Sequence, residues 1–581
     1  MNLARLLGMR PDEIRVRAYQ AISKRWAQPP VCRLTSSKTQ PVFLESPSAP
    51  PRESVEKLCR NRFDLLGYHD LDFGRPIDWH LDPVHGKRAP RIPWYRIRFL
   101  DFNQVGDHKI IWELNRHQYF VTLAQASCRE EILTQWTDWQ GQNPYPIGIN
   151  WASTLEVAFR ALSWLWVRNL IGDFHPDLIP ALHLHGWHIE RYLSTYFSPN
   201  THLLGEATAL FAIGVMCPEV ADAPRWQKRG WQIVLEQAAA QVRPDGLHFE
   251  QSIYYHIYAL DFFRFTRDLA ERNGIAIPAR LDQTIDKMSE ALSALSQAGP
   301  PPNFGDDDGG RVFIAPARPL VPTPARSVAF TGAGIYVMTS PFAQLFIDAG
   351  PQGALSAGHG HADALSIQLV IGGRRTLIDP GTFCYVCPER NRFRGTAAHN
   401  TLQVDDRDQS DPRGPFGWGR LPVTNVDLWH TGEIFDLFAG HHDGYRPVIH
   451  HRWVFGLKDR FWLVRDFVSG SGRHRLDINW HFTDERAVTI LPPVGHPWTS
   501  SIERWDWSPV YGAKEPAYVM HFSSETELPG ELAILLIATD TVGTFIQTGP
   551  GAYRYEEPQT VHEFIFGDRF LYRGGGTEFT I

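Results

Sequence analysis

Apolar residues in this 581-residue chain change their spacing once, and that change limits what the chain can build. From about residue 107 to 297 they recur at helical spacing: Leu155, Phe159, Leu162 and Trp166; Leu203, Ala207, Leu210 and Gly214; Tyr255, Tyr258, Phe262 and Phe265. Ser153-Thr154-Leu155-Glu156 reads as a capping box at the head of one such helix. Residues 299–310, rich in Pro, Gly and Asp, break the pattern. Beyond Arg326 the period is two. Leu365, Ile367, Leu369 and Ile371 alternate with polar or small residues, Gly372-Gly373 turns the chain, and runs at 454–468, 476–482 and 533–538 continue the theme. Helices first and strands afterwards predict segregated domains, α then β. The expected division is an N-terminal helix, linker and loop-rich arm over 1–105, helical hairpins over 106–325, and antiparallel strands over 326–581.

The composition suits such domains: 43% of residues are apolar and 21% charged, which excludes wholesale disorder. A net charge of −7 argues against nucleic-acid binding, which needs a basic surface. It still allows a local basic cleft that attracts an anion. Six Cys are too sparse for a disulfide framework, and Cys384 and Cys387 read as ordinary residues near a functional loop, not as a disulfide or redox pair. Residues 1–26 read as an amphipathic helix, with Asp12 and Glu13 in its early turns, and residues 29–51 as a Pro/Ser-rich linker. No signal peptide is seen, and no stretch approaches the ~18 apolar residues of a membrane span. The expected location is therefore cytoplasmic, with periplasmic or secreted as the alternative.

Gly358-His359-Gly360-His361-Ala362-Asp363 is the most informative stretch. Two His one residue apart in an extended segment share a face unless the intervening Gly twists the backbone. Asp379 closes a predicted strand, and Ala398-His399-Asn400-Thr401 follows. Imidazole and carboxylate are the ligands a zinc-like cation prefers. The competing reading is hydrogen-bonded structure, and spacing alone leaves open which His would bind.

His359-Gly-His361-Ala-Asp363, Leu377-Ile-Asp379-Pro-Gly381 and Arg394-Gly-Thr-Ala-Ala-His399-Asn-Thr401 resemble the hallmark segments of the heparinase II/III-like family. So do Trp112-Glu-Leu-Asn-Arg116-His-Gln118, Asn200-Thr-His202-Leu-Leu-Gly-Glu206, Glu250-Gln-Ser-Ile-Tyr-Tyr255-His256 and Asn303-Phe-Gly-Asp-Asp-Asp308. The resemblance implies an incomplete (α/α) toroid of helical hairpins followed by stacked antiparallel β-sheets. It also implies one divalent metal ion, zinc or manganese before calcium, held by His361, Asp379 and His399, with His359 facing substrate. Tyr255 matches the catalytic acid or base of members, and Arg394 matches a family position. One departure stands out: several members carry Asn-Asn-His where this chain has Asn200-Thr201-His202. The carboxylate-binding role falls to Asn200 if the earlier Asn holds it, and is lost to Thr201 if the later one does.

The activity implied is that of a polysaccharide lyase cutting uronate-containing acidic polysaccharide by β-elimination. Glycosaminoglycans (hyaluronan, chondroitin or heparin/heparan) come first, alginate or exopolysaccharide next. Removing a uronate C5 proton pushes charge onto an already charged carboxylate, and donors such as Asn200, His202 and Arg394 would stabilise the enolate. A tyrosine near pKa ~10 is a poor base, so a base role for Tyr255 needs cations nearby, with His256, His359 and Arg394 as candidates. A glycoside hydrolase would instead need two carboxylates, for example Glu250 with one of Asp306, Asp307 and Asp308. Turn chemistry accounts for that trio equally well. A non-catalytic glycan-binding protein of polysaccharide assembly is the third reading.

Overall fold

The computed structural model describes residues 9–37, 39–45, 50–312, 324–483, 488–538, 542–567 and 569–581. Helix Pro11–Trp26 opens on a proline whose missing N–H costs nothing at that position, with Asp12 and Glu13 in its first turn. The first eight residues of the expected amphipathic helix lie outside the described residues. The described start of the Pro/Ser-rich segment runs along the helical domain: Leu34 bridges Val220, and the Thr35 N–H donates to the Glu219 carbonyl at 2.7 Å.

Helices His108–Asn115, Tyr119–Gln125, Arg129–Gln142, Thr154–Ile171, Leu178–Tyr192, Thr201–Met216, Ala223–Gln241, Ile253–Arg272 and Ala279–Ala294 form an incomplete toroid of hairpins. Thr201–Met216 is its hub, packing on Thr154–Ile171, Ala223–Gln241 and Ile253–Arg272. Apart from His202 and Glu206 it carries no ionisable side chain, and a helix apolar all round belongs in a core. It lies close against Ala223–Gln241 because a Cβ at Gly214 would meet the Gln227 backbone, and one at Gly230 the Phe211 backbone. The expected capping box is only half formed. Ser153 Oγ accepts the Glu156 N–H at 3.5 Å, but the Glu156 carboxylate turns inward to Arg116, at 2.7 and 2.9 Å. A buried guanidinium demands a carboxylate more strongly than an exposed helix end does.

Among the described residues beyond 326, the strands form three antiparallel sheets of nine, six and five members. The six-stranded sheet lies in the middle. Val454 and Val464 face the nine-stranded sheet, with Leu369, Leu402 and Trp480 across that interface. Their neighbours Phe455 and Leu463 face the five-stranded sheet, against Tyr553, Phe564 and Tyr572. Strand alternation thus feeds two cores from one sheet. A buried polar contact locks the helical and strand halves together, the Tyr511 hydroxyl donating to Asp107, while Lys109 Nζ holds Asp308 of the connecting segment at 3.0 Å. Among the described residues, no helix is long and apolar enough to cross a membrane.

Candidate active site

Tyr255 lies in the first turn of Ile253–Arg272, where the Ser252 hydroxyl accepts the Tyr255 N–H at 3.1 Å and donates to the Asp306 carbonyl at 2.6 Å. Its ring meets a residue of the other half. The His359 imidazole stacks on it, with ring centroids 4.0 Å apart and planes inclined by 25°. The Tyr255 hydroxyl hydrogen-bonds the Tyr385 hydroxyl at 2.8 Å. Burial and the charge of Asp308 raise Tyr255 well above the usual phenol range, against a smaller lowering by Tyr385. At neutral pH it is a phenol. The phenolate expected from neighbouring cations does not form in the free protein: His256 faces the Met288 carbonyl at 3.0 Å, and burial pushes it down to about 4.

Asp306 is the hub beneath this pair. Fully buried, it takes both terminal nitrogens of Arg390 at 2.5 and 2.7 Å, Thr382 Oγ1 at 3.2 Å, His359 Nδ1 at 3.1 Å and His361 Nε2 at 3.1 Å. Burial alone would raise its carboxyl, but Arg390 and the two imidazoles outweigh burial and hold it well below the usual range. Burial would likewise lower His359, yet the Asp306 bond and the Glu250 charge raise it above its ordinary value. Gly360 is what lets the two His converge: a Cβ there would lie 1.6 Å from the Gln352 carbonyl oxygen.

Asn200 caps Thr201–Met216, its side-chain oxygen accepting the His202 N–H at 3.1 Å, and its amide donates to Glu250 at 2.5 Å. Thr201 Oγ1 donates to the other Glu250 oxygen at 2.9 Å, and Glu250 lies 3.8 Å from His359 Nε2. Half-buried His202 is pushed down to about 4, by burial first and by the His359 charge second. Arg394 is placed differently from its neighbours in sequence. Its guanidinium donates to the Pro415 carbonyl at 2.9 Å, the Gly414 carbonyl at 2.6 Å and Asn391 at 2.9 Å, and lies over the Trp418 ring. It braces the loop at Gly414 and Pro415, and its polar contacts are to that loop and to Asn391 rather than to Tyr255 or His359. Arg390 holds Asp306, while Arg392 is the surface member, pairing with Asp506 at 2.6 Å.

His361, Asp363, Asp379 and His399 form a buried group whose ligand atoms lie within 4.8 Å of one another. His399 Nδ1 faces Asp379 at 3.0 Å and His361 Nε2 faces Asp306, yet His361 Nδ1 and His399 Nε2 are buried without a hydrogen-bond partner. Two orphaned imidazole nitrogens beside two carboxylates fit a divalent cation. Asp306 behind His361 is the outer carboxylate that such a ligand commonly has. Asp363 adds a fourth member to the expected three.

A model of the heparinase II/III N-terminus matches residues 48–308, and one of the heparinase II/III-like C-terminal region matches residues 322–514. The chain belongs to the heparinase II/III-like family. Within it, a heparin-sulfate lyase of Pedobacter heparinus is 26% identical over 483 residues, covering 75% of this chain and 68% of that one. A heparin-sulfate lyase of Bacteroides stercoris is 23% identical, covering 73% and 69%. The crystal structure of heparinase III superposes with a TM-score of 0.70 at 17% identity, covering 97% of this chain and 94% of that one. That of heparan sulfate lyase HepC from Pedobacter heparinus gives 0.55 at 20% identity, covering 98% and 94%. The toroid and stacked sheets are thus this family's fold.

In this family member the sequence reading passed over Tyr385 and Arg390, and it weighed Glu250 and Asp306 only as hydrolase carboxylates or as turn and structural acids. Asp306 was legible only as one of three consecutive acids in a turn-rich loop. Cys384 and Cys387, expected to be ordinary residues, are joined by a disulfide that brackets Tyr385. The two-residue spacing of the thiols and a hydrophobic surround at Phe383, Val386 and Phe416 were the available signal.

Proposed function

We propose that this chain is a glycosaminoglycan lyase acting on heparin- or heparan-sulfate-like chains by β-elimination. The observation that carries the reading is the stack of Tyr255 on His359 across the two halves, with the charge of His359 acting on His202, in a protein whose similar curated relatives are heparin-sulfate lyases. The two protonation states divide the labour. His202 is neutral at pH 7 and so already in the form that accepts a proton, whereas Tyr255 holds one. His202 takes the uronate C5 proton, and binding a carboxylate beside it raises its proton affinity. The C5–H electron pair becomes the C4–C5 double bond. The C4–O4 bond breaks onto oxygen, and Tyr255 protonates that oxygen. His359 supplies positive charge to the uronate carboxylate, with Asn200 as a further donor. A divalent ion at His361, Asp363, Asp379 and His399 would supply charge that neutralises the buried carboxylates and fixes the segment presenting His359.

The hydrolase reading loses support because Asp306 is fully engaged by Arg390, His359 and His361 and is not free to act as a second catalytic carboxylate. The Cys384–Cys387 disulfide supports an oxidising compartment, the periplasm or the cell exterior, over the cytoplasm. The test is a panel of heparin, heparan sulfate, hyaluronan, chondroitin and alginate assayed for ultraviolet-absorbing unsaturated product. New reducing ends without absorbance would mean hydrolysis, and tight binding without shortening would mean a non-catalytic protein.

A further inference from the structure

Far from the Tyr255–His359 cleft in sequence, the edge of the six-stranded sheet carries a second set of ligand-type side chains. Its outermost strand, Thr424–Thr431, pairs with Phe435–His442, which pairs with Ile449–Leu457. The first pairing slips by one residue between Val426 and Leu428, leaving Asp427 as the extra residue of a bulge. A bulge re-aims a side chain. Here it brings the Asp427 carboxylate to His441 Nδ1 at 2.9 Å. His441 sits directly opposite His451 on the next strand, their rings 5.3 Å apart. Directly opposite residues of a pleated sheet share a face, so two imidazoles and one carboxylate converge from three adjacent strands. One ligand atom from each lies within 4.8 Å of the others.

An ordinary surface ion pair explains only part of this. Asp427 and His441 are about half and one-third exposed (46% and 30%), where such a pair contributes only ~0–1 kcal/mol. It does not involve His451, whose ring lies 5.3 Å from that of His441 at 37°, and the other His441 nitrogen meets only the Asn425 amide, at 3.4 Å. His451 Nε2 is held by Ser469 Oγ at 3.0 Å, so Nδ1 is the nitrogen left for a ligand role, with its ring orientation fixed by that outer contact. Two His and one carboxylate with an open side toward solvent form the donor set that zinc accepts, water completing the coordination. An edge strand also needs something to hold it.

We propose that Asp427, His441 and His451 form a second divalent-cation site, separate from the buried group at His361, that takes a zinc-class ion and ties the edge strand to its two neighbours. The test uses the full-length protein, stripped with chelator, re-equilibrated with micromolar zinc, desalted and analysed for bound metal. His451→Gln, which keeps a hydrogen-bonding group toward Ser469, and His441→Gln should each bind one zinc fewer than wild type. Both should keep wild-type turnover of the polysaccharide, and the zinc-dependent rise in melting temperature should shrink in both. Metal counts equal to wild type in both variants would overturn the site. If an altered fold lowered the count, turnover would fall with it, so a lower count with lost turnover also counts against the proposal.

Discussion

One carboxylate joins His359 to His361: the two oxygens of Asp306 face one ring nitrogen of each imidazole, both at 3.1 Å. The residue that stacks on Tyr255 and the residue that belongs to the metal-type group are therefore oriented by the same buried charge. Asp306→Asn keeps the shape but removes the charge that Arg390 and both imidazoles require. We expect activity to fall by about 10- to 100-fold, the usual cost of losing an outer-shell carboxylate. Stability should fall by ~3–5 kcal/mol as Arg390 is left buried without its partner. Turnover and denaturant unfolding check both. Wild-type turnover in Asp306→Asn would remove it from the site.

Tyr255→Phe deletes the proton that O4 must receive, so kcat should drop by ~10²–10⁴-fold, the span of general acid catalysis. The ring stack on His359 needs no hydroxyl, and the fold should persist by circular dichroism. Tyr385→Phe removes only the hydrogen-bond partner and should cost less than Tyr255→Phe. Equal turnover in Tyr255→Phe and wild type would exclude it as the acid.

Much of the fold was legible because it rests on local spacing. The switch from helical to alternating period marks where helices end and strands begin, since each period follows from backbone geometry. The ligand segment was legible because His359, Gly360, His361 and Asp363 are neighbours in sequence. The hub was not. Asp306 meets His359 across 53 residues and Arg390 across 84, and such contacts leave no trace in local pattern. The three arginines show the same limit. Evenly spaced in sequence, Arg390, Arg392 and Arg394 go to a buried carboxylate, a surface acid and a pair of loop carbonyls respectively.

Glu206 predicts a pH effect on stability away from the cleft. It is fully buried on the hub helix, accepting the Ser194 N–H at 2.7 Å with the Ser194 hydroxyl at 2.6 Å. Burial raises its carboxyl to about 8, against the lowering by both Ser194 bonds. The folded pKa exceeds the unfolded one. The stability it contributes is therefore complete below the unfolded value of ~4.3 and lost as pH rises through about 8. Melting temperature should decline across that window in wild type, and the decline should flatten in Glu206→Gln, whose amide can still meet Ser194. Parallel pH profiles for the two proteins would show that Glu206 does not titrate in this range.

The disulfide predicts a thiol-sensitive active site. Cys384 and Cys387 flank Tyr385, whose hydroxyl meets Tyr255 and whose backbone N–H donates to the Tyr511 hydroxyl at 2.8 Å. The cross-link closes too short a loop to stabilise much through chain entropy, so its main effect is on position. A displacement of ~1 Å at a catalytic group can cost about 100-fold in rate. Freed from its bond, Tyr385 would shift against Tyr255 and lower kcat. Cys384→Ser with Cys387→Ser, or dithiothreitol treatment of wild type, should therefore reduce kcat several-fold, and the reductant should have no effect on the double variant. Cys32, Cys59, Cys128 and Cys217 are free thiols with nothing to reduce, so a loss of turnover on reduction that also occurs in the double variant would separate the effect from this cross-link.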